Sequence, residues 1–251
     1  MNENLKILIL QLADDHLILG HRNSEWTGLG PIMEEDIAFS SMSQDKIGHA
    51  LSFYELLNEQ LGMSDADTLA FKRIEQQFTC CHFVELPNGE YDFSLMRHFL
   101  FDHACNIRFE MLALSSFEPL AMACKKMRSE VKYHIMHANT WLKQLTIKGT
   151  EESKIRMQTA LNECFGYALG MFETNCDEKS IIQQGIYEGE EAVKTQWLDA
   201  ITAILSTCQL TLPTGIEAVL GGRKGYHTIH LQPLLTEMTE VIDFDKTAKE
   251  W

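Results

Sequence analysis

The sequence predicts an all-α fold, a four-helix bundle with additional C-terminal helices. Apolar residues recur at spacings of three and four along most of the chain, and alternating strand-like runs are scarce. Four long periodic segments are separated by clusters of helix breakers, which suggests antiparallel neighbours. There is no Gly-x-Gly-x-x-Gly and no alternation of strands with helices, so a nucleotide-binding α/β fold is not supported. With 251 residues, 45% apolar and 23% charged, the chain is of ordinary globular composition and long enough to bury a sizeable core. We read one domain over 1–251, with a core bundle at about 3–147 and extra helices at about 150–245.

The elements follow in order. A first helix covers about Leu5 to Glu25 and is closed by Gly28-Leu29-Gly30-Pro31. A second runs from about Ile32 to Leu61 and stops at Gly62. Asp65 or Asp67 caps a shorter helix reaching about Phe78. Leu86-Pro87-Asn88-Gly89 is a turn, and a third long helix spans about Asp92 to Ser115. Pro119 suits the first turn of a fourth, which extends to about Leu145 before Gly149. Two more helices cover about Glu151 to Phe172 and Gly189 to Cys208. The run Glu188-Gly189-Glu190-Glu191 reads as a solvated helix start favoured by the helix dipole. Pro213, Gly215, Gly221, Gly222 and Gly225 mark an irregular stretch, and a last short helix spans about Thr228 to Val241.

Composition excludes several functions. The formal net charge of −15 argues against nucleic acid or an anionic membrane as the main partner. No run of about 18 uninterrupted apolar residues exists to cross a membrane. Met1-Asn2-Glu3-Asn4-Leu5-Lys6 lacks the basic segment and apolar run of a secretory signal. The seven cysteines are odd in number, irregularly spaced and without Cys-x-x-Cys. They read as reduced thiols in a cytoplasmic protein, packed as small hydrophobes rather than as a disulfide framework or a zinc site.

The inward stripes carry the chemistry. On the fourth helix Leu120, Cys124, Met127, Val131, His134, Ala138, Trp141 and Leu145 form a heptad-like seam. The third has Leu95, Phe99, Asp102, Asn106 and Phe109; the second has Glu35, Ala38, Met42, Asp45, His49, Ser52 and Leu56. The first has Leu5, Leu8, Leu12, Asp15 and Leu19. Each seam thus holds polar residues near its middle, and Glu130, one turn before His134, joins them. Carboxylates and histidines at mid-bundle are the material of a di-iron carboxylate site, which takes a Glu from each of two helices and Glu-x-x-His from each of two others. Glu-x-x-His and Asp-x-x-His are absent from the chain: Glu130 and Asp45 each have a histidine one place late, at His134 and His49. Asp15, Glu35, Asp45, His49, Asp102, Asn106, Glu130 and His134 therefore read as a vestigial polar layer or as unrelated buried contacts, with a functional metal site as the third option. Lys46 or Arg108 supplies compensating charge. His134 and His137 lie three apart, but spacing offers no third ligand.

Other features are weaker. Gly221-Gly222-Arg223-Lys224-Gly225 is either an anion or partner contact through Arg223 and Lys224, or a tight packed turn; it is not a P-loop. Trp26, beside Arg22 and Glu25, is an interface anchor or a core residue at a helix corner. No nucleophile elbow supports a hydrolase.

Five segments carry a resemblance. Leu17-Ile18-Leu19-Gly20-His21-Arg22-Asn23-Ser24-Glu25-Trp26, Glu34-Glu35-Asp36-Ile37-Ala38, Asp67-Thr68-Leu69-Ala70-Phe71, Glu85-Leu86-Pro87-Asn88-Gly89 and Gly221-Gly222-Arg223-Lys224-Gly225-Tyr226-His227-Thr228 occur in that order. Together they cover most of the chain, which resembles the phenylacetic acid degradation protein PaaC family. The resemblance implies a ferritin-like fold and the non-catalytic C subunit of a multicomponent ring-1,2-phenylacetyl-CoA epoxidase. It implies no cofactor in this chain and a di-iron centre in a catalytic A subunit, fed with electrons from NADPH by a reductase. The partners implied are that A subunit and the other epoxidase components. Cys80-Cys81 and His49 depart from the pattern, and His49 partly restores a ligand set. Two alternatives stay open: an active di-metal oxidase of the same fold, and a self-associating helical binding module that forms a homodimer when alone.

Overall fold

The computed structural model describes residues 2–244; Met1 and 245–251, which the one-domain reading also includes, lie outside the described residues. The long helices are α1 (Asn2–Ser24), α2 (Met33–Leu61), α5 (Tyr91–Leu112) and α6 (Glu118–Ile147). Between α2 and α5 run two short helices, α3 (Ala66–Phe71) and α4 (His82–Glu85). After α6 come α7 (Glu151–Leu169), α8 (Glu178–Gln183), α9 (Glu190–Thr207) and α10 (Leu231–Phe244). No strand occurs among the described residues, so the all-α expectation holds.

Pairings across the bundle give its topology. Ser43 donates to the Gly20 carbonyl and Tyr54 to Asp14, so α1 and α2 are antiparallel. His98 meets His137 and Arg128 meets Glu110, which makes α5 and α6 antiparallel as well. Glu35 reaches Tyr91 and Lys46 reaches Asp102, a constant offset that makes α2 and α5 parallel. The order is up-down-down-up, with 62–90 as the one long crossover, the connection of a ferritin-like bundle.

Local chemistry sets most boundaries. Gly62 ends α2 in the left-handed region at φ 69°, returning its amide to the Asn58 carbonyl. Asp65 caps α3 through the Thr68 amide, and Thr150 caps α7 through the Ser153 amide. Pro119 stands in the first turn of α6. The helix expected to reach Phe78 stops at Phe71, because Arg73 leaves helical geometry and binds Asp14; Glu75–Gln77 is a single 3-10 turn closed by the Gln77 side chain on the Ile74 amide. The helix expected to reach Phe172 ends its α-helical part at Leu169 and tightens to a 3-10 turn over Gly170–Phe172. The one-turn α4 and the six-residue α8 are too short for a periodic signal.

One apolar cluster runs from Leu5 to Leu235 and joins the bundle to the C-terminal helices. The α5 helix is buried on nearly every side, and residues 11–20 of α1 are all buried. The crossover and α7, α8 and α9 pack over α1 and α5. Trp197 of α9 is fully buried and donates its indole N–H to the Leu100 carbonyl at 2.9 Å. By contrast α2 and α6 keep one bare face each.

Candidate functional site

Mid-bundle, α2, α5 and α6 bring eight polar residues into one connected chain. Asp102 on α5 is its hub. Lys46 Nζ donates to Oδ1 at 2.6 Å, His98 Nδ1 donates to Oδ2 at 2.6 Å, and His134 Nδ1 lies 3.4 Å from Oδ1. On its other edge His134 Nε2 is 3.0 Å from Asp45. His98 Nε2 and His137 Nδ1 are 3.3 Å apart, and His137 Nε2 stands 3.0 Å from both oxygens of Glu35. The Tyr91 hydroxyl donates to Glu35 at 2.5 Å. Beside this chain His49 Nε2 meets Glu130 at 2.7 Å.

The electrostatics follow from burial and pairing. Burial pushes the Asp102 carboxyl up, but Lys46, His98 and His134 outweigh it and hold it well below the ordinary aspartate value. Burial pulls His134 down, and its bonds to Asp102 and Asp45 more than reverse that, favouring the imidazolium. The hydrogen bond from His134 is the main reason Asp45 is held low. Burial takes His98 to about 4, with only partial relief from Asp102. It takes His49 to about 4 against the bond to Glu130. Glu35 is lowered: burial opposes ionisation, but His137 and Tyr91 prevail. The outer nitrogens of the His98–His137 pair both face carboxylates, and the inner nitrogens face each other. Lys46 and the imidazoles of His98, His134 and His137 thus already occupy the carboxylates of Asp102, Asp45 and Glu35.

These residues do not fit a di-iron centre. Lys46 is fully buried and its ammonium occupies Asp102, a carboxylate a metal would need. The carboxylates are already occupied by Lys46 and the imidazoles, so divalent cations would have to displace these buried partners. Among the described residues, the group of three side chains with ligand atoms all within 4.8 Å is Cys80, Glu85 and His227, away from this layer.

The expectation is corrected at several residues. Asp15 belongs to a separate site on the α1 side, where Arg223 holds it. Asn106 is half-buried, and its Oδ1 has no hydrogen-bond partner. Of the two candidate counter-charges, Lys46 enters the layer and Arg108 does not. Arg108 pairs with Glu190 at 2.6 Å, so Glu190 is a buried partner rather than part of a solvated helix start. His98 escapes the sequence reading because α5 is buried all round and its seam runs through Leu95 and Phe99. Its position four before Asp102 is the signal that marks it. Trp26 packs on Phe39 and Tyr91 and donates to Ser94 at 2.9 Å, as a helix-corner core residue does.

A family model described as phenylacetic acid catabolic protein matches residues 1–251. The chain belongs to that family. The C-type component of the 1,2-phenylacetyl-CoA epoxidase of Escherichia coli (strain K12) is 32% identical over 238 residues, 95% of each chain. Segments that carry the phenylacetic acid catabolic protein resemblance meet in space. Arg22 donates to the Glu85 carbonyl at 2.8 Å, and Asn88 donates to the Arg22 carbonyl at 2.5 Å. The Glu85 carboxylate accepts from Thr228 N at 2.8 Å and from His227 Nδ1 at 2.7 Å, while His227 Nε2 faces the Phe78 carbonyl. Burial lowers His227, and Glu85 more than reverses it, so protons already satisfy this Cys80, Glu85 and His227 group. Arg223 is buried and bidentate on Asp15 at 2.7 and 2.8 Å; Lys224 pairs with Glu173 at 3.1 Å. The glycine-rich segment is thus a packed strap, and the expected anion contact through Arg223 is not available.

Proposed function

We propose that this chain is a structural, non-catalytic subunit of a phenylacetyl-CoA epoxidase. It pairs with and supports a catalytic helical subunit that carries the di-iron centre and activates oxygen, within a complex served by an NADPH-dependent reductase. The observation that carries the reading is Lys46, whose ammonium fills the metal-ligand side of Asp102 at 2.6 Å. The relative, named as one subunit of such an epoxidase, supports the pathway and the multicomponent setting. The absence of Glu-x-x-His agrees with the same role. A di-metal oxidase would need the carboxylates that Lys46, His98 and His134 already occupy. The layer serves instead as a rigid polar spine that fixes the register of α2, α5 and α6.

Reconstitution tests this. The chain alone is expected to give no epoxidation of phenylacetyl-CoA with reductase and NADPH, and to restore turnover when mixed with the catalytic subunit. Turnover by the chain alone, or catalytic-subunit activity that is indifferent to its presence, would overturn the proposal.

A further inference from the structure

The bare side of the bundle has a pattern of its own. Along α2 the exposed positions Met33, Ile37, Ser41, Gln44, Gly48, Leu51 and Glu55 follow steps of four and three. Along α6 Met122, Lys126, Ser129, Tyr133, Met136, Thr140 and Lys143 do the same. Met33, Ile37, Leu51, Met122, Tyr133 and Met136 are all among the large hydrophobic side chains left exposed. Such seams are the surface that a further helix packs against.

Between the rows lies a groove of about 160 Å³, lined by Gln44, Asp45, Gly48, His49, Lys126 and Glu130. The polar layer comes to the surface here, with Asp45 and Glu130 side chains 29% and 42% exposed. Gly48 is the second clue. A glycine inside a helix destabilises it relative to alanine, yet a Cβ at 48 would meet nothing within 4 Å. The chain's own packing has no use for that glycine. It leaves a notch in the seam.

Charge narrows the occupant. Lys125, Lys126, Lys132 and Lys143 on α6 are exposed and have no ion-pair partner among the described residues. They offer local attraction to carboxylates in a chain whose net charge is −15. Two copies of so acidic a chain repel one another at long range, which disfavours self-association.

We propose that the α2/α6 face is the seat of the catalytic helical subunit; this rests on the subunit reading above. One helix of that partner lies along the groove, sets an apolar side chain over Gly48, and turns carboxylates toward the α6 lysines.

The test is the affinity of the full chain for the purified catalytic subunit by titration calorimetry, with the oligomeric state from sedimentation. Gly48→Gln fills the notch with a better helix former. It is expected to melt no lower than wild type and to bind at least about tenfold more weakly. A Leu51→Glu, Tyr133→Glu double variant is expected to weaken binding by about 100-fold or more. Ile155→Glu and Ile182→Glu, exposed on the C-terminal helices, are expected to bind as wild type does. If wild type binds and the face variants bind equally well, the face is wrong and the subunit reading stands. If wild type does not bind, the subunit reading itself falls. If the same variants instead dissolve a homodimer that never binds the catalytic subunit, the face belongs to a second copy and the proposal is overturned.

Discussion

The two long sides of the bundle treat buried charge differently. On the α1/α5 side each carboxylate is closed by arginine or by several donors from distant segments. Arg223 binds Asp15, Arg73 and Thr79 bind Asp14, and Arg108 binds Glu190. These contacts tie the crossover and the C-terminal strap onto α1 and α5. On the α2/α6 side the buried cations other than Lys46 are histidines, and two of the carboxylates, Asp45 and Glu130, are partly exposed to solvent. Arginine stays charged and locks geometry, whereas histidine can shed its proton. The lesson is that the closed side satisfies its carboxylates fully within the chain, whereas the open side leaves Asp45 and Glu130 partly exposed.

The largest expected effect attacks the closed side. Arg223→Ala strands the Asp15 carboxylate in a buried site and is expected to cost about 3 to 5 kcal/mol in urea denaturation. A loss below about 1 kcal/mol would show that the strap does not hold α1, and would break the contrast. Next comes the layer's own buried cation. Lys46→Met leaves Asp102 with His98 and His134 alone and is expected to cost about 3 kcal/mol in the same measurement.

Acid comes third, and its sign is set by burial. His49 has its proton affinity depressed to about 4 in the fold, whereas the unfolded residue titrates near 6.5. As pH falls through that window the unfolded chain takes up the proton first, so stability drops, by about 3 kcal/mol for this residue. Urea midpoints between pH 7 and 4 should show the fall, and His49→Gln should make it shallower. His134 and His227 run the other way. Their affinities are raised, so their contribution is full below 6.5 and fades as pH rises through their folded values. Two smaller effects sharpen the comparison. Gly48→Ala should raise stability by about 1 kcal/mol, since the notch serves nothing inside the chain. Glu130→Gln should cost well under about 1 kcal/mol, because solvent screens its pair with His49.

The bundle is legible in the sequence because its signals are local. The i, i+3 and i+4 stripes mark all four long helices, and capping residues such as Asp65 and Thr150 act within one turn. The layer is legible in part. Asp45, His134 and Asp102 lie on stripes that do face one another. The stripe argument fails on α1 and α5, because a helix buried all round has no unique inward face. It places Asp15 in the layer although that residue points to Arg223, and it passes over His98. The pairs Asp15–Arg223 and Arg108–Glu190 join residues 208 and 82 positions apart, a distance over which a single sequence carries no pairing signal. The choice between an anion or partner contact and a tight packed turn at Arg223 stays open in the sequence for that reason. Lys46 stands beside Asp45 in plain view, but only the packing of α2 against α5 reveals which carboxylate it takes.

The central claim is that a layer whose carboxylates are held by Lys46 and histidines stands where a di-iron site would be. The most direct measurement is iron per chain, by elemental analysis of protein expressed alone in iron-replete medium and purified without chelators. Well under one equivalent per chain is expected. About two equivalents, lost in Asp102→Asn and His134→Ala, would contradict the account and make this chain the site of oxygen activation.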